Sequence, residues 1–291
     1  MVLRTLRSQS TESSRGHIRV LGAADGADLD GLFGQNRDAF CVIQERVERG
    51  VLGSVSGGGQ LWGWYTRAGL ESAIHVGANV APIKTTRAAR RAFADQLGRM
   101  GRHSSAIVGD KAEVLELWDL LAGQWGPARD VCHDQPLLRM VGAPRVAADS
   151  LVRRATVDQL GILFPASVAM FEEEVGVSPI ADGREDAYRA RVLAAIRAGR
   201  VYARVRHGKV LFKAEVGAVS AHSCQIQGVW VDPSLRGTGM AAPGMAAVVE
   251  AAVREHAPSV SLYANRHNAP ALRTYARVGF EQVGTFATIL F

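Results

Sequence analysis

Two spacings of apolar positions alternate along this chain, and together they outline it. Short runs with every second residue apolar predict strands at Ile18 to Leu21, Leu61 to Ala78, Ser104 to Val108 and Pro136 to Val141. Runs with apolar residues three and four apart predict helices at Leu29 to Phe33, Ala39 to Arg49, Thr86 to Met100 and Glu113 to Leu121. The same order then returns. A strand is expected at Leu151 to Ala155, helices at Val157 to Glu174 and Tyr188 to Arg197, and a hairpin at Val201 to Ala218 with its turn at Gly208. The earlier hairpin turns at Gly69 and has the same length, and in each half the helix before it ends in glycine, Gly50 or Gly199. The reading is of one fold written twice.

The second half continues with Q-G-V-W-V-D-P-S-L-R-G-T-G-M-A, Gln227 to Ala241, a strand that runs into a glycine-bearing turn and opens a helix. Glycine at 237 and 239 lets backbone approach a ligand, and the free N–H groups and dipole at a helix start favour an anion. Arg236 adds a positive charge. Downstream lie an apolar strand, Val260 to Tyr263, then Asn268-Ala269-Pro270-Ala271-Leu272-Arg273-Thr274-Tyr275, Arg277-Val278-Gly279-Phe280 and a closing strand near Thr285 to Phe291. Pro243 and Gly244 follow the turn closely, so the helix after it is expected to begin late.

The spacing R-x-x-G-x-A at Arg236, Gly239 and Ala241, followed by N-x-x-A-x-x-x-Y-x-x-x-G-F from Asn268, resembles the two signatures of the GNAT N-acetyltransferase superfamily. The N-terminal half resembles an uncharacterised domain found ahead of GNAT domains in actinobacterial proteins, through G-A-N-V-A-P, W-G-P-A-R and Q-P-L-L. The resemblance implies an α/β (α+β) protein with tandem GNAT-like folds, each a mixed, mostly antiparallel twisted sheet flanked by helices. The expected divisions are a disordered tail over 1–16, a degenerate GNAT-like domain over 17–145 and an acetyltransferase domain over 149–291. The first domain is taken as degenerate because a strand at His75 to Val80 is followed by Ala81 to Arg87, which has no glycine.

The same resemblance implies acetyl-CoA as cosubstrate and transfer of its acetyl group directly to an amine, small molecule or peptide. Backbone N–H groups of Gly237, Thr238, Gly239, Met240 and Ala241, beside Arg236, would hold the pyrophosphate. The main chain of Trp230 and Val231 would pair with the pantetheine arm, and Asn268 would contact the cofactor near its thiol. Tyr275 takes the place of the general acid that protonates the departing thiolate. A base is harder to name; Glu215 is the candidate, with Glu172, Glu173, Glu174, Gln225, Gln227 and His222 weighed beside it. The alternative is a non-catalytic acyl-CoA sensor or scaffold.

Composition narrows the partners. The chain has 291 residues, 47% of them hydrophobic, enough for two cores. No stretch is long and apolar enough to predict a membrane span, and the N-terminus has no signal-peptide pattern, so a cytoplasmic protein is expected. The cysteines, Cys41, Cys132 and Cys224, show neither C-x-x-C spacing nor a metal-ligand cluster, which argues against a disulfide framework or a metal. A net charge of +6 suits an anionic cosubstrate. Without aromatic interleaving or a reader motif it argues against nucleic acid.

Overall fold

The computed structural model describes residues 16–34, 36–50, 52 and 59–291. The expected tail, apart from Gly16, lies outside the described residues. The first elements are β1 (His17–Val20), α1 (Gly26–Phe33) and α2 (Cys41–Glu48). The hairpin β2 (Gln60–Thr66) and β3 (Gly69–Val76) follows, then β4 (Asn79–Ile83) and α3 (Arg87–Met100). The helix α3 begins where it does because the Thr86 hydroxyl accepts the Ala89 N–H. Next come β5 (Ala106–Asp110), α4 (Lys111–Trp125), whose first N–H groups are capped by Asp110, and β6 (Asp130–Val141).

The second run opens on β7 (Arg153–Arg154), α5 (Leu160–Val175) and α6 (Glu185–Arg197). The hairpin β8 (Val201–Arg206) and β9 (Lys209–Val219) precedes β10 (Ser223–Val231) and α7 (Ala241–Glu255). It ends with β11 (Ser259–Tyr263), α8 (Ala269–Val278) and β12 (Glu281–Leu290). No helix among the described residues is long and apolar enough to cross a membrane.

Two expectations are corrected. A turn at Gly77 and Ala78 splits the strand expected at His75 to Val80, so Ala81 to Ile83 belong to β4 and the following loop is only Lys84 to Thr86. The helix after the glycine turn is not late either. It starts at Ala241, with Pro243 in the first turn, where an N–H has no partner to lose.

Contact clustering gives two units. Unit 1 takes the described residues that fall within 16–34, 46–133 and 286–291, and unit 2 takes 36–45 and 134–285. In unit 1 the strands lie in the order β1-β2-β3-β4-β5 and then the end of β12; only β4 and β5 are parallel. Its core joins Trp62, Ile74, Val80 and Ile107 of the sheet to Phe93 and Leu97 of α3 and to Leu117 and Leu121 of α4. In unit 2 the order is β7-β8-β9-β10-β11-β6, with β10 and β11 parallel and the rest antiparallel. The two orders correspond strand for strand. In each unit the sixth position is filled by the strand that closes the other run of elements, β12 in unit 1 and β6 in unit 2.

Alternation sends the residues of β9 to opposite faces of the unit 2 sheet. Phe212, Ala214 and Val216 join Met245, Val248 and Val249 of α7 in one core. A second core lies on the face covered by α5 and α6, formed by Phe164, Tyr188, Val192, Val201, Ala203 and Trp230. The short segment 36–45 is stitched to unit 2 by polar contacts. The Cys41 thiol reaches the Ser223 carbonyl at 3.2 Å, Ser259 donates to Asp38 at 2.7 Å, and Arg200 pairs with Glu45 at 2.6 Å.

Candidate functional site

In unit 2, β10 and β11 are paired only at their beginnings. Ser223, Cys224 and Gln225 face Ser259, Val260 and Ser261, whereas Leu262 and Tyr263 pair with β6 alone. Beyond that point the strands part. A bulge accompanies the parting: Gln227 faces Glu215 and Trp230 faces Lys213, so Gly228 and Val229 together oppose the single residue Ala214. The opening holds a cavity of about 680 Å3, lined among others by Val229, Trp230, Gly237, Gly239, Asn268 and Tyr275. That volume lies within the range of small-molecule sites.

The turn between β10 and α7 is built from its own sequence. The Asp232 carboxylate accepts the Ser234 N–H, and Pro233 leads a short 3-10 turn. Gly237 and Gly239 have φ of +78° and +87°, and an added Cβ would meet nothing within 4 Å at either. Glycine is therefore required here by backbone conformation, not by crowding. This turn delivers the chain to the first turn of α7, whose leading N–H groups have no partner within the helix.

Arg236 is not a free charge in this arrangement. Its guanidinium donates to both Glu173 oxygens, at 2.9 and 2.7 Å, and its Nε donates to the Val231 carbonyl. Glu173 also accepts from the Trp230 indole at 3.4 Å. Arg273 and Arg277, four residues apart on α8, line the same cavity and have no ion-pair partner among the described residues. Neither was singled out from the sequence, although their spacing on a helix places them on one side. Asn268 caps α8 by accepting the Ala271 N–H at 3.2 Å, and it lines the cavity as well.

Tyr275 is 7% exposed, packs edge-on against Phe280 at 5.9 Å and borders the cavity. No hydrogen bond ties its hydroxyl to another described residue. Burial, with Glu174 nearby adding to the effect, pushes its phenol well above the ordinary value, so it stays protonated through neutral and alkaline pH. Glu215, the candidate base, is buried and engaged: Gln227 donates to it at 3.0 Å and Arg191 lies 3.7 Å away. It does not line the cavity. His222 is exposed in the turn before β10. Among the described residues no group of His, Cys, Asp and Glu side chains is arranged to hold a metal.

Unit 1 treats the corresponding loop differently. The Glu113 carboxylate of α4 accepts both the Thr85 N–H, at 2.8 Å, and the Thr85 hydroxyl, at 2.6 Å. The Thr86 N–H goes to the Ser72 hydroxyl at 2.9 Å. Two N–H groups of this loop, those of Thr85 and Thr86, are thus satisfied from within, one of them by a carboxylate.

With this geometry in view, the chain can be set beside known proteins. Residues 169–280 match the acetyltransferase (GNAT) family, and residues 59–163 match a domain of unknown function (DUF4081). The stretch similar to the GNAT family includes the residues named above as lining the cavity. A curated relative, mycothiol acetyltransferase of Brachybacterium faecium, is 40% identical over 77 residues, which are 26% of this chain and 23% of that protein. The chain thus matches about a quarter of that relative's length. Among solved structures, a GCN5-related N-acetyltransferase from Sphaerobacter thermophilus superposes with a TM-score of 0.58 at 14% identity, over 94% of this chain and 95% of that one. A tandem GNAT protein from the clavulanic acid biosynthesis pathway gives 0.50 at 13% identity, over 94% and 98%. The fold is a tandem of GNAT-like units, as the sequence led us to expect.

Proposed function

We propose that unit 2 is an acetyl-CoA-dependent N-acetyltransferase and that the cavity between β10 and β11 is its acyl-CoA site. The observation that carries this reading is the convergence on one opening of three things: a helix start with unpaired N–H groups, a bulged strand, and a buried tyrosine with an unengaged hydroxyl. Bound there, acetyl-CoA would supply the activated acyl group. The residues present fit it. The turn offers the N–H groups of Gly237, Gly239, Met240 and Ala241 to a pyrophosphate, that of Thr238 being given to the Leu235 carbonyl at 3.3 Å. Arg273 and Arg277 are nearby cations, and the Trp230 and Val231 main chain, whose Val231 carbonyl already accepts from Arg236, would pair with an amide-bearing arm. Tyr275 holds its proton where a thiolate would leave. The acceptor is an amine.

Calorimetry with acetyl-CoA is the first test, and about one site per chain is expected, because Glu113 already occupies the equivalent loop in unit 1. Two equal sites would show that the internal carboxylate yields to the ligand; no binding would overturn the reading. Release of free CoA that depends on an added amine, followed by mass spectrometry across amines, antibiotics and peptides, separates an enzyme from an acyl-CoA sensor.

Two substitutions probe the loop. Gly239→Val places a β-branched residue at φ +87°, at a strain of about 1–3 kcal/mol. The strain acts on the N–H groups that would face phosphate, so CoA affinity should fall at least tenfold, equivalent to about 1.4 kcal/mol. Gly208→Val is the control. Gly208 has φ +72° and equally open surroundings but sits in the β8–β9 turn, so it carries comparable strain and should leave affinity unchanged. Glu173→Gln should act in the opposite direction. It releases Arg236 from its ion pair, and CoA should bind about 2- to 10-fold more tightly at low salt, with the gain shrinking as salt is raised.

A further inference from the structure

Lys213 is one of four lysines in the chain, and it is 1% exposed. Its neighbours on β9, Phe212 and Ala214, turn to the core under α7, so Lys213 points to the face beneath α5 and α6. There its Nζ donates to the Gly228 carbonyl at 3.2 Å. The charged groups acting on it are Glu215 from its own strand, Arg191 from α6 and Glu174 from the end of α5. Burial lowers its pKa to about 8. A buried ammonium is a poor device for stability, because its desolvation offsets what its contacts return.

Gly228 opens the bulge. Its φ is +58°, and a Cβ there would lie 3.2 Å from Met170 Cε and 3.5 Å from Lys213 Nζ. Across a planar trans peptide the C=O and the following N–H point in opposite directions. With the Gly228 carbonyl turned to Lys213, the Val229 N–H points away from it. Val229 packs toward the core under α7 and lines the cavity, and it has no opposite number in the β9 ladder.

We propose that Lys213 is a positioning residue: by holding the Gly228 carbonyl it aims and polarises the Val229 N–H, the strand backbone donor that the acetyltransferase reading itself requires at the thioester carbonyl oxygen. This rests on the acetyl-CoA reading of the cavity. As the acceptor nitrogen bonds to the carbonyl carbon, the C=O π pair moves to oxygen, where the N–H meets the developing charge. When that pair returns, the C–S bond breaks, sulfur takes a proton from Tyr275, and the nitrogen gives up its own to water. A cation on the far side of the same peptide strengthens the N–H as a donor.

The test needs no acceptor. Infrared difference spectroscopy of acetyl-CoA labelled with 13C at the thioester carbonyl, bound to the full chain, reads polarisation directly. In the wild type the carbonyl stretch should fall below that of free acetyl-CoA. Lys213→Met should lose most of that shift and Lys213→Arg should recover part of it, with CoA affinity within about threefold and no drop in melting temperature. Slow acetyl-CoA hydrolysis, read by thiol release, should fall about 10- to 100-fold in Lys213→Met, below the loss seen on removing a donor outright. The wild-type advantage should narrow above about pH 8, as the ammonium loses its charge. Lys213→Gln, a neutral donor, should lie between and serves if the methionine variant does not fold. An unchanged carbonyl frequency in folded, acetyl-CoA-loaded Lys213→Met or Lys213→Gln overturns the proposal. Failure of the wild type to bind acetyl-CoA overturns instead the reading on which it rests.

Discussion

Tyr275→Phe is expected to lower turnover by about 10²- to 10⁴-fold while leaving CoA affinity and melting temperature near their wild-type values. The substitution removes one hydroxyl and keeps the ring that packs on Phe280. Because that hydroxyl is hydrogen-bonded to no other described residue, its loss leaves no buried partner unsatisfied, and stability has little reason to change. Turnover has reason to change. A thiolate leaving into a buried cleft needs a proton, and Tyr275 keeps its proton because burial and the nearby Glu174 carboxylate both oppose ionisation. The sign of the pH dependence follows. A raised phenol pKa means that the acid stays loaded as pH rises, so the wild type should show no loss of turnover attributable to Tyr275 up to about pH 10, its ordinary value. Measuring kcat, CoA affinity and melting temperature on one preparation decides the role. Unchanged kcat in a fully stable Tyr275→Phe removes this residue from the mechanism, and a loss that tracks melting temperature makes it a packing residue.

The elements and the glycine turn before α7 were legible because their signals are local. Alternation along Val201 to Ala218, the helix start at Thr86 and the glycines at 237 and 239 each act within a few residues of themselves. What the sequence could not show depends on distant partners. Arg236 reads as a free cation until α5 places Glu173 against it, 63 residues away. Glu113 reads as an ordinary helix-start residue until the fold brings it to Thr85. Lys213 left a faint local trace, a cation between Phe212 and Ala214 in an apolar strand, but its meaning depends on Gly228 fifteen residues later. Glu215 stands out in the sequence by its place on the strand; the ion pair with Arg191 and the bond from Gln227 are invisible without α6 and β10. The split of His75 to Val80 into two strands is hidden for a related reason, since apolar residues on both sides of Gly77 and Ala78 read as one run.

Removing residues 1–148 is expected to leave a C-terminal fragment that does not fold, although it would contain the whole stretch matched to the GNAT family. The fragment lacks β6, which pairs with all five residues of β11, from Ser259 to Tyr263. It also lacks Leu137, Leu138 and Met140, which are 0%, 7% and 3% exposed in the full chain. Burying three such side chains contributes roughly 5–9 kcal/mol, at about 1.5–3 kcal/mol each. That is comparable to the whole net stability of a domain, about 5–15 kcal/mol, before the lost ladder is considered. The segment 36–45 goes too, leaving the buried Cys224 and Ser223 side of β10 and the Arg200 guanidinium without Cys41 and Glu45. A fragment beginning at residue 134 keeps β6 and should be measurably better folded, though still short of the 36–45 contacts. Circular dichroism and thermal melts of the 134–291 and 149–291 fragments beside the full chain give the comparison. A soluble 149–291 fragment that melts cooperatively near the full-length temperature and binds CoA would mean that β6 is a covering strand, not part of the fold that holds the site.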